Sequence, residues 1–325
     1  MTDLRIFVDL ALTPELMEIL RDGTKGHQLV FARQPAVSVL AQGDIDPGFA
    51  EVDVAFGQPD PEAIRGARRL RLIQISSSGI TRYDNAEFRR FMAERNIPVC
   101  NSASVYREPC ALHALGFILA QARHLPRSLQ TVTANGTAEW DALRDACRPL
   151  QGATAVIVGY GAIGRRLTEF LTPLGMRVLA YRRRARGDEG VPVLSLGDLA
   201  RVLAAEADHV INILPHSAET IRFFDADRFG AMRPGAVFYN IGRGATVDQN
   251  ALLETLRSGR LAAAWLDVTD PEPLPDGHPL WAERNCHITP HVAGGHTNEN
   301  LSLVRHFLGN LGRFVRGEPL CDRVM

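Results

Sequence analysis

Short apolar runs alternate with segments of helical periodicity from the first residues of the chain. Residues 5–10 form one such run, and Thr13 followed by Pro14 predicts the N-cap and first position of a helix. The pattern continues with apolar runs at residues 52–57, 70–76 and 97–102, and with helical segments at residues 61–69 and 85–95. This alternation predicts a parallel β-sheet covered by helices.

The segment at residues 105–125 has the apolar spacing of one long helix, and we predict that it links two domains. Its apolar positions, expected on one helical face, are Leu112, Leu115, Ile118, Leu119 and Ala122. A polar stretch with Gly136 and Trp140 leads to a second series of apolar runs, at residues 153–159, 176–182, 208–214, 236–242, 261–268 and 286–291. Nearly continuous apolar runs are typical of strands buried on both faces of a parallel sheet. The second half therefore predicts a second α/β domain.

The overall composition excludes several classes of partner. At 325 residues, the chain has room for about two domains. Its 36 basic and 37 acidic residues nearly cancel, so net charge favours neither nucleic acid nor an anionic membrane as a partner. No apolar run approaches the ~18 residues of a membrane span, and the N-terminus lacks the features of a signal peptide. The five cysteines contain no C-x-x-C pair, which indicates reduced thiols in a cytoplasmic protein and no cysteine-bound metal.

A glycine-rich segment, 159-GYGAIG-164, follows a predicted strand and precedes an amphipathic run. In a dinucleotide-binding turn, the first glycine permits the tight turn, the second lets the backbone approach a pyrophosphate, and the third lets the helix pack closely on the strand. The helix N-terminus then stabilises the phosphates. A structural glycine turn is the alternative, but the strand, turn and helix context favours a dinucleotide site. Its residues are Gly159, Tyr160, Gly161, Ala162, Ile163 and Gly164.

Three further segments each follow a predicted strand of the second series: 240-NIGRGATVD-248, 267-DVTDPEP-273 and 289-TPHVAGG-295. Taken singly, Arg243 could be a surface arginine in a turn, the second segment an acidic proline-rich loop, and His291 a packing or capping histidine. Ligands of open α/β sheets bind at the carboxyl ends of the strands. Because all three segments lie at such ends, we expect them to contribute to one site.

These motifs, in this order, resemble those of the D-isomer-specific, nicotinamide-dependent 2-hydroxyacid dehydrogenases, and the resemblance covers nearly the whole chain. It extends to residues 76–84, 212–220, 278–281 and 309–320. It implies an α/β fold with two doubly wound parallel-sheet domains, a Rossmann cofactor domain and a flavodoxin-like substrate domain. The implied substrate domain comprises residues 1–103 and 291–325, and the implied Rossmann domain comprises residues 104–290.

The resemblance implies that Arg243, Glu272 and His291 are the catalytic residues. A guanidinium suits the carboxylate and carbonyl oxygens of a 2-keto acid. Histidine can donate a proton near neutral pH as hydride arrives, and a neighbouring carboxylate favours its imidazolium form. The implied reaction is reversible hydride transfer between NAD(P)H and a small 2-keto acid to give a D-2-hydroxy acid, as in glyoxylate and hydroxypyruvate reductases.

The same resemblance implies the binding residues. For the substrate they are Arg243 and the loop Ser77, Ser78, Gly79 and Ile80, whose N–H groups would bind the carboxylate; a polar tight turn is the alternative. For the cofactor they include Leu214, Pro215, Thr220, Ile241 and Asp267, with Asp267 expected at the nicotinamide carboxamide. His113 matches a histidine of the family, and we interpret it as a structural residue.

The segment 181-YRRRARG-187 follows the second strand of the second series. NAD-dependent enzymes of this fold carry an acid there for the ribose hydroxyls, whereas arginine favours the 2′-phosphate of NADP. We therefore expect NADP(H) to be preferred, with NAD(H) possible, and Arg182 with one of Arg183 or Arg184 to bind the phosphate. The alternative is chance, because Lys25 is the only lysine among the 36 basic residues and arginine occurs in many loops.

Two other functions stay open on this fold: formate or phosphite oxidation, and a nucleotide-sensing interaction protein similar to corepressors. The formate enzymes carry glutamine at the position of Glu272, which argues against the first, but a corepressor can keep all three catalytic residues. The resemblance also predicts a homodimer, as do apolar residues on more than one face of the 105–125 helix, namely Ala111, Leu115, Phe117 and Ile118.

Overall fold

The computed structural model describes residues 3–133 and 135–325 and divides the chain into two units. The N-terminal unit comprises Met1–Tyr106 and Gly295–Met325, and the central unit comprises Arg107–Gly294. The strands are β1 (Arg5–Asp9), β2 (Gln28–Phe31), β3 (Val54–Gly57), β4 (Leu72–Ile75), β5 (Val99–Cys100), β6 (Thr154–Val158), β7 (Arg177–Tyr181), β8 (Val193–Leu194), β9 (His209–Asn212), β10 (Ala236–Asn240), β11 (Leu261–Leu266) and β12 (Cys286–Ile288). The helices are α1 (Pro14–Gly23), α2 (Pro61–Gly66), α3 (Ala86–Glu94), α4 (Ala103–Ala122), α5 (Leu125–Gln130), α6 (Ala138–Ala146), α7 (Ala162–Leu171), α8 (Leu196–Ala205), α9 (Ala226–Ala231), α10 (Gln249–Arg257) and α11 (Glu299–Arg316).

Each unit is built on one parallel sheet. The strand order is β2-β1-β3-β4-β5 in the N-terminal unit and β12-β11-β10-β9-β6-β7-β8 in the central unit. The first is the flavodoxin-like order, and the second is the Rossmann order extended by a seventh strand. The predicted fold class, with two doubly wound parallel sheets, is confirmed. The strand order reverses between β1 and β3 and between β6 and β9, and these switch points are where such sheets bind ligands.

The inner strands of both sheets are buried on both faces, as the apolar runs predicted. Every residue of β6, β9 and β10 is buried, and so is every residue of β3 and β4. In register, Val158 at the end of β6 pairs with Tyr181 on one side and Asn212 on the other. The carboxyl ends of β6, β7 and β9 therefore lie side by side.

The start of α1 confirms the predicted cap. Thr13 has an extended backbone and its side chain accepts a hydrogen bond from the Leu16 N–H, while Pro14 occupies the first helical position. Proline costs nothing there, because the first N–H groups of a helix have no partner within it.

The prediction of a single apolar face on α4 is wrong. Ile118 and Ala122 are buried, but Leu112 and Leu119 are 48% and 40% exposed. The buried face instead contains Ala111, Ala114, Phe117, Ile118 and Ala122. Both sets have the three- and four-residue spacing of a helix, so the spacing identified the helix but not the side that packs. Among the described residues no helix, α4 included, has both the length and the apolarity needed to cross a lipid bilayer.

Helices α5 and α6 lie in the polar stretch between the long helix and the second series of apolar runs. The Thr137 hydroxyl accepts a hydrogen bond from the Trp140 N–H at the start of α6, and Glu139 and Asp141 lie in its first turn. Acidic residues at a helix N-terminus are stabilising, and α6 has no buried residue. Strands β2 and β8 are too short for their patterns to stand out.

A buried polar pair links two strands of the central sheet. The Nδ1 atom of His209 on β9 lies 2.9 Å from the Tyr239 hydroxyl on β10, and the two side chains are buried. Burial lowers the pKa of His209 to about 4, against the opposing charge of Asp208. The folded chain therefore favours the neutral imidazole.

We predict that protonation of His209 makes the protein less stable in mild acid. The pKa of His209 is near 6.5 in the unfolded chain and about 4 in the folded chain. The free energy of unfolding is therefore unaffected by this group above pH 6.5. It falls between pH 6.5 and 4, because the unfolded chain binds the proton first. Over this window the free energy of unfolding should fall by about 3 kcal/mol from this group alone. Denaturant titrations of the wild type and His209→Asn, each at a series of pH values, measure it. Equal pH dependence in the two proteins would contradict the assignment.

Candidate active site

The glycine turn 159–164 joins β6 to α7 at the switch point of the central sheet. Gly159 has a φ of 98°, and a Cβ there would lie 2.6 Å from the Ile213 carbonyl carbon. A Cβ at Gly164 would lie 3.2 Å from Ile157, so this glycine lets α7 pack on β6. At Gly161 a Cβ would meet no protein atom, and no side chain caps α7 among the described residues. This backbone fits a pyrophosphate at the helix N-terminus.

Several side chains expected at the cofactor pack inside the unit instead. Tyr160 is 3% exposed, and its hydroxyl donates toward Thr168 Oγ1 and the Glu189 carbonyl. Leu214 belongs to the hydrophobic core, and Ile241 is 5% exposed. These side chains are therefore largely used in packing within the central unit.

The turn at residues 215–220 is held by its own polar groups. The Thr220 hydroxyl donates a hydrogen bond to the Pro215 carbonyl over 2.6 Å and accepts one from the Ser217 N–H over 2.8 Å. This hydroxyl is therefore occupied in folding the turn.

Arg243 follows β10 between two glycines, and the structure explains both. A Cβ at Gly242 would lie 2.7 Å from the Leu214 carbonyl oxygen, and one at Gly244 would overlap the Thr269 carbonyl. The turn that carries Arg243 is therefore packed between the ends of β9 and β11 with no room for side chains. Burial lowers the pKa of Arg243, and the charge of Glu272 opposes that effect.

A buried polar network, which the sequence analysis did not identify, holds the backbone of this turn. Asn212 at the end of β9 donates to Asn240 Oδ1 over 3.0 Å and to Thr246 Oγ1 over 2.7 Å. Asn240 and Thr246 in turn donate to the Arg243 carbonyl over 3.2 and 2.6 Å. Buried amides require such partners. The available signal was asparagine at the carboxyl end of two otherwise apolar strands.

His291 and Glu272 come together as predicted from the motifs. His291 Nδ1 and Glu272 Oε1 form a short hydrogen bond. An acceptor on Nδ1 leaves Nε2 as the nitrogen that can exchange a proton with a ligand. Since Glu272 also acts electrostatically on Arg243, the three groups belong to one charged cluster.

Asp267 holds the turn that presents His291. His291 has a φ of 52°, which is uncommon for a residue with a side chain, and its N–H donates to the Asp267 carbonyl. The Asp267 carboxylate accepts hydrogen bonds from Thr289 Oγ1 and from the N–H groups of Val292 and Ala293 over 2.7 to 2.9 Å. With Asp267 2% exposed, its carboxylate is largely used within the unit. A contact with a nicotinamide carboxamide stays a prediction.

His113 on α4 packs beneath this turn. Its Nε2 lies 3.3 Å from Thr289 Oγ1 and 3.5 Å from Asp267 Oδ1, and its ring meets Phe117 edge-on. Burial lowers the pKa of His113 against the charge of Asp267. These contacts give it a structural role.

In the N-terminal unit, the loop after β4 keeps its carbonyls occupied and its N–H groups open. The carbonyls of Ser77, Ser78 and Gly79 accept hydrogen bonds from the Ser102 N–H, Asn101 Nδ2 and Ser77 Oγ respectively. The N–H groups from Ser77 to Ile80 donate to no atom in the described part of the chain. Four such N–H donors in one tight turn can bind an anion.

Two of the arginines after β7, Arg182 and Arg183, are paired with acids. Arg182 Nη1 lies 3.0 Å from Glu189 Oε1, and Arg183 pairs with Glu219. Arg184 is exposed and has no ion-pair partner among the described residues. Glu189 was not identified from the sequence, because it lies after the glycine of the loop and beyond the strand end where an acid is expected.

Comparisons with known proteins agree with this geometry. The sequence model for the NAD-binding domain of D-isomer specific 2-hydroxyacid dehydrogenases matches residues 115–293. A human glyoxylate reductase/hydroxypyruvate reductase is 33% identical over 254 residues, 77% of this chain and 76% of that protein. A glyoxylate reductase of Aeropyrum pernix is 33% identical over 334 residues, 97% of this chain and 93% of that protein.

Solved structures show the same similarity. A D-isomer specific 2-hydroxyacid dehydrogenase from Xanthobacter autotrophicus Py2, in complex with NADPH and MES, superimposes with a TM-score of 0.80 at 25% identity. The match covers 100% of this chain and 98% of that chain. The similarity to this family in sequence and in fold therefore extends over both units.

Proposed function

The chain belongs to the D-isomer-specific 2-hydroxyacid dehydrogenase family, and we propose that it reduces a small 2-keto acid to the D-2-hydroxy acid with NADPH. The observation that carries the proposal is the hydrogen bond between His291 and Glu272, with Arg243 electrostatically linked to the same carboxylate. An acid–base pair that interacts electrostatically with a half-buried guanidinium suits a reaction in which a carbonyl gains hydride and a proton.

Each residue of this cluster has a distinct part. The bound nicotinamide supplies the hydride. Arg243 binds the carboxylate and carbonyl oxygens of the keto acid and stabilises the charge that develops on the latter. His291 gives a proton from Nε2 to that oxygen, and Glu272 on Nδ1 fixes the tautomer and the direction of the ring. In the N-terminal unit, the open N–H groups of the loop 77–80 bind the substrate carboxylate.

The central unit holds the nicotinamide cofactor, and its arginines support NADPH over NADH. Only Nη1 of Arg182 donates to the described part of the chain, so Nε and Nη2 remain for a phosphate. Arg184 is exposed and unpaired within the same part. The Xanthobacter relative was solved with NADPH. Guanidinium groups at this strand end suit a 2′-phosphate.

A cytoplasmic location and a homodimer complete the proposal. Every cysteine is a free thiol, as is usual in reducing compartments. The dimer is supported by large apolar side chains exposed between the middle of α4 and residue 132: Leu112, Leu119, Leu125, Leu129 and Val132. Their exposed fractions run from 40% to 103%, and clustered exposure of this kind marks interaction surfaces.

We expect His291→Ala to lower kcat by roughly 100- to 10,000-fold, the usual contribution of proton transfer, while NADPH affinity stays nearly unchanged. Glu272→Gln should also lower kcat, because the hydrogen bond that fixes the tautomer of His291 loses its carboxylate acceptor. Steady-state kinetics with glyoxylate, hydroxypyruvate, pyruvate and bulkier keto acids, and NADPH fluorescence titration, measure both.

His278→Ala is the control, because His278 caps a short turn and should leave kcat little changed. A His291→Ala protein with a third or more of wild-type activity would remove His291 from the acid role. Tight NADPH binding without turnover of any keto acid would favour the corepressor-like alternative. Oxidation of formate or phosphite would instead support the alternative of a formate or phosphite dehydrogenase.

The cofactor proposal predicts a higher kcat/KM with NADPH than with NADH. Arg182→Ala should lower the ratio of the two values by roughly 10- to 150-fold, the value of one good charged hydrogen bond. Arg201→Ala, which removes an exposed arginine on α8, should leave the ratio unchanged. Equal use of both cofactors by the wild type, with no effect of Arg182→Ala, would contradict the assignment.

The dimer proposal predicts a species of twice 35.7 kDa in sedimentation velocity at micromolar concentration. Leu129→Glu, at an 83% exposed position, should shift it toward the monomer. Leu196→Glu, at a 53% exposed position outside the cluster, should not. A wild-type monomer at this concentration would reject the dimer.

A further inference from the structure

The loop at residues 182–190, which carries four arginines, also contains a buried acid, Glu189. Glu189 is 7% exposed, although every other residue from Arg183 to Gly190 is exposed. Its Oε1 accepts hydrogen bonds from Arg182 Nη1 over 3.0 Å and from the Arg186 N–H over 2.7 Å, and its Oε2 accepts one from the Gly187 N–H over 2.9 Å. Two backbone donors and one guanidinium thus converge on one carboxylate.

The same loop is tied to the glycine turn and to α7. The Tyr160 hydroxyl lies 3.2 Å from the Glu189 carbonyl oxygen. Arg165 on α7 donates to the Asp188 carbonyl over 2.6 Å and to its carboxylate over 2.7 Å. Residues that follow β7 are therefore held against the turn expected to bind the pyrophosphate.

This arrangement rules out the usual role of an acid after the second Rossmann strand. A carboxylate that binds ribose hydroxyls must reach the ligand, whereas the side chain of Glu189 is 3% exposed and already has three protein donors. Its contact with Arg182 also differs from the pair between Arg183 and Glu219, in which both side chains are more than 60% exposed. Exposed ion pairs of that kind stabilise the position of their side chains only weakly.

We propose that Glu189 is a positioning residue that holds the loop 182–190 and the Arg182 guanidinium in place for the 2′-phosphate of NADPH, an inference that rests on the proposed function. Arginine is a flexible side chain, and one that is already fixed loses less freedom when it binds a phosphate. The loop still carries four arginines against Asp188 and Glu189, so the attraction for phosphate persists.

Two effects of the carboxylate oppose each other, and an experiment can separate them. As a charge, Glu189 repels a phosphate, so its removal would tighten NADPH binding. As an anchor, it orders Arg182, so its removal would weaken NADPH binding. Glu189→Gln keeps the size and removes the charge, and Glu219→Gln removes the same charge from the exposed pair in the same region.

We expect Glu189→Gln to weaken NADPH binding by on the order of 10-fold, as for the loss of one charged hydrogen bond, and to leave NADH binding nearly unchanged. Glu219→Gln should leave NADPH binding unchanged or slightly tighter. In an Arg182→Ala background, Glu189→Gln should have little further effect. Fluorescence titration of each purified protein with NADPH and with NADH gives these dissociation constants.

Hydrogen–deuterium exchange of the cofactor-free protein provides a second measurement. The amides of Arg186 and Gly187 should exchange faster in Glu189→Gln and at the wild-type rate in Glu219→Gln. Thermal unfolding checks that the variants fold, and Glu189→Asp, which keeps the charge and shortens the side chain, replaces Glu189→Gln if that protein does not fold. It should also weaken NADPH binding.

Equal or tighter NADPH binding by Glu189→Gln, or unchanged exchange of the loop, would overturn the proposal. Both measurements are independent of turnover. A protein that bound NADPH through Arg182 and Glu189 but reduced no keto acid would contradict the proposed reaction and leave this inference standing.

Discussion

Close approach of backbone segments at the carboxyl edge of the central sheet is the constraint on which the site depends. Gly159 lies against the Ile213 carbonyl, and Gly244 lies so close to Thr269 that a Cβ would overlap its carbonyl oxygen. Side chains at these positions would separate the turns that follow β6, β9, β10 and β11. The glycine turn and the segment bearing Arg243 occupy one edge because these backbones can touch.

Such close packing leaves polar groups without water, and the chain satisfies them with buried side chains. Asn240 and Thr246 donate to the backbone of the Arg243 turn, and Asn212 donates to both of these side chains. The Asp267 carboxylate accepts from the backbone of the His291 turn. Apolar residues could fill the same space, but they could not set the direction of a turn through hydrogen bonds. A satisfied polar network favours one geometry over its neighbours, which suits a site whose groups must be aligned.

The loop after β7 shows the same principle with charges. Glu189 accepts three hydrogen bonds inside the loop, while Arg183 and Arg184 stay at the surface. Counting charges along the loop would treat its acids as equivalent, yet Asp188 is exposed and Glu189 is buried. Burial decides whether a carboxylate meets a ligand or supports the groups that do.

The sequence by itself determined the class of fold, the position of the glycine turn, and the three segments that carry Arg243, Glu272 and His291. These signals are local: apolar runs report strands buried on both faces, and glycine reports a backbone conformation or a close contact wherever it stands. Tertiary structure alone decided which face of α4 packs, because Leu112 and Ile118 fit the same helical spacing. It also decided that Glu189 points inward, since its burial depends on partners brought together by folding, and no periodicity within the chain encodes that.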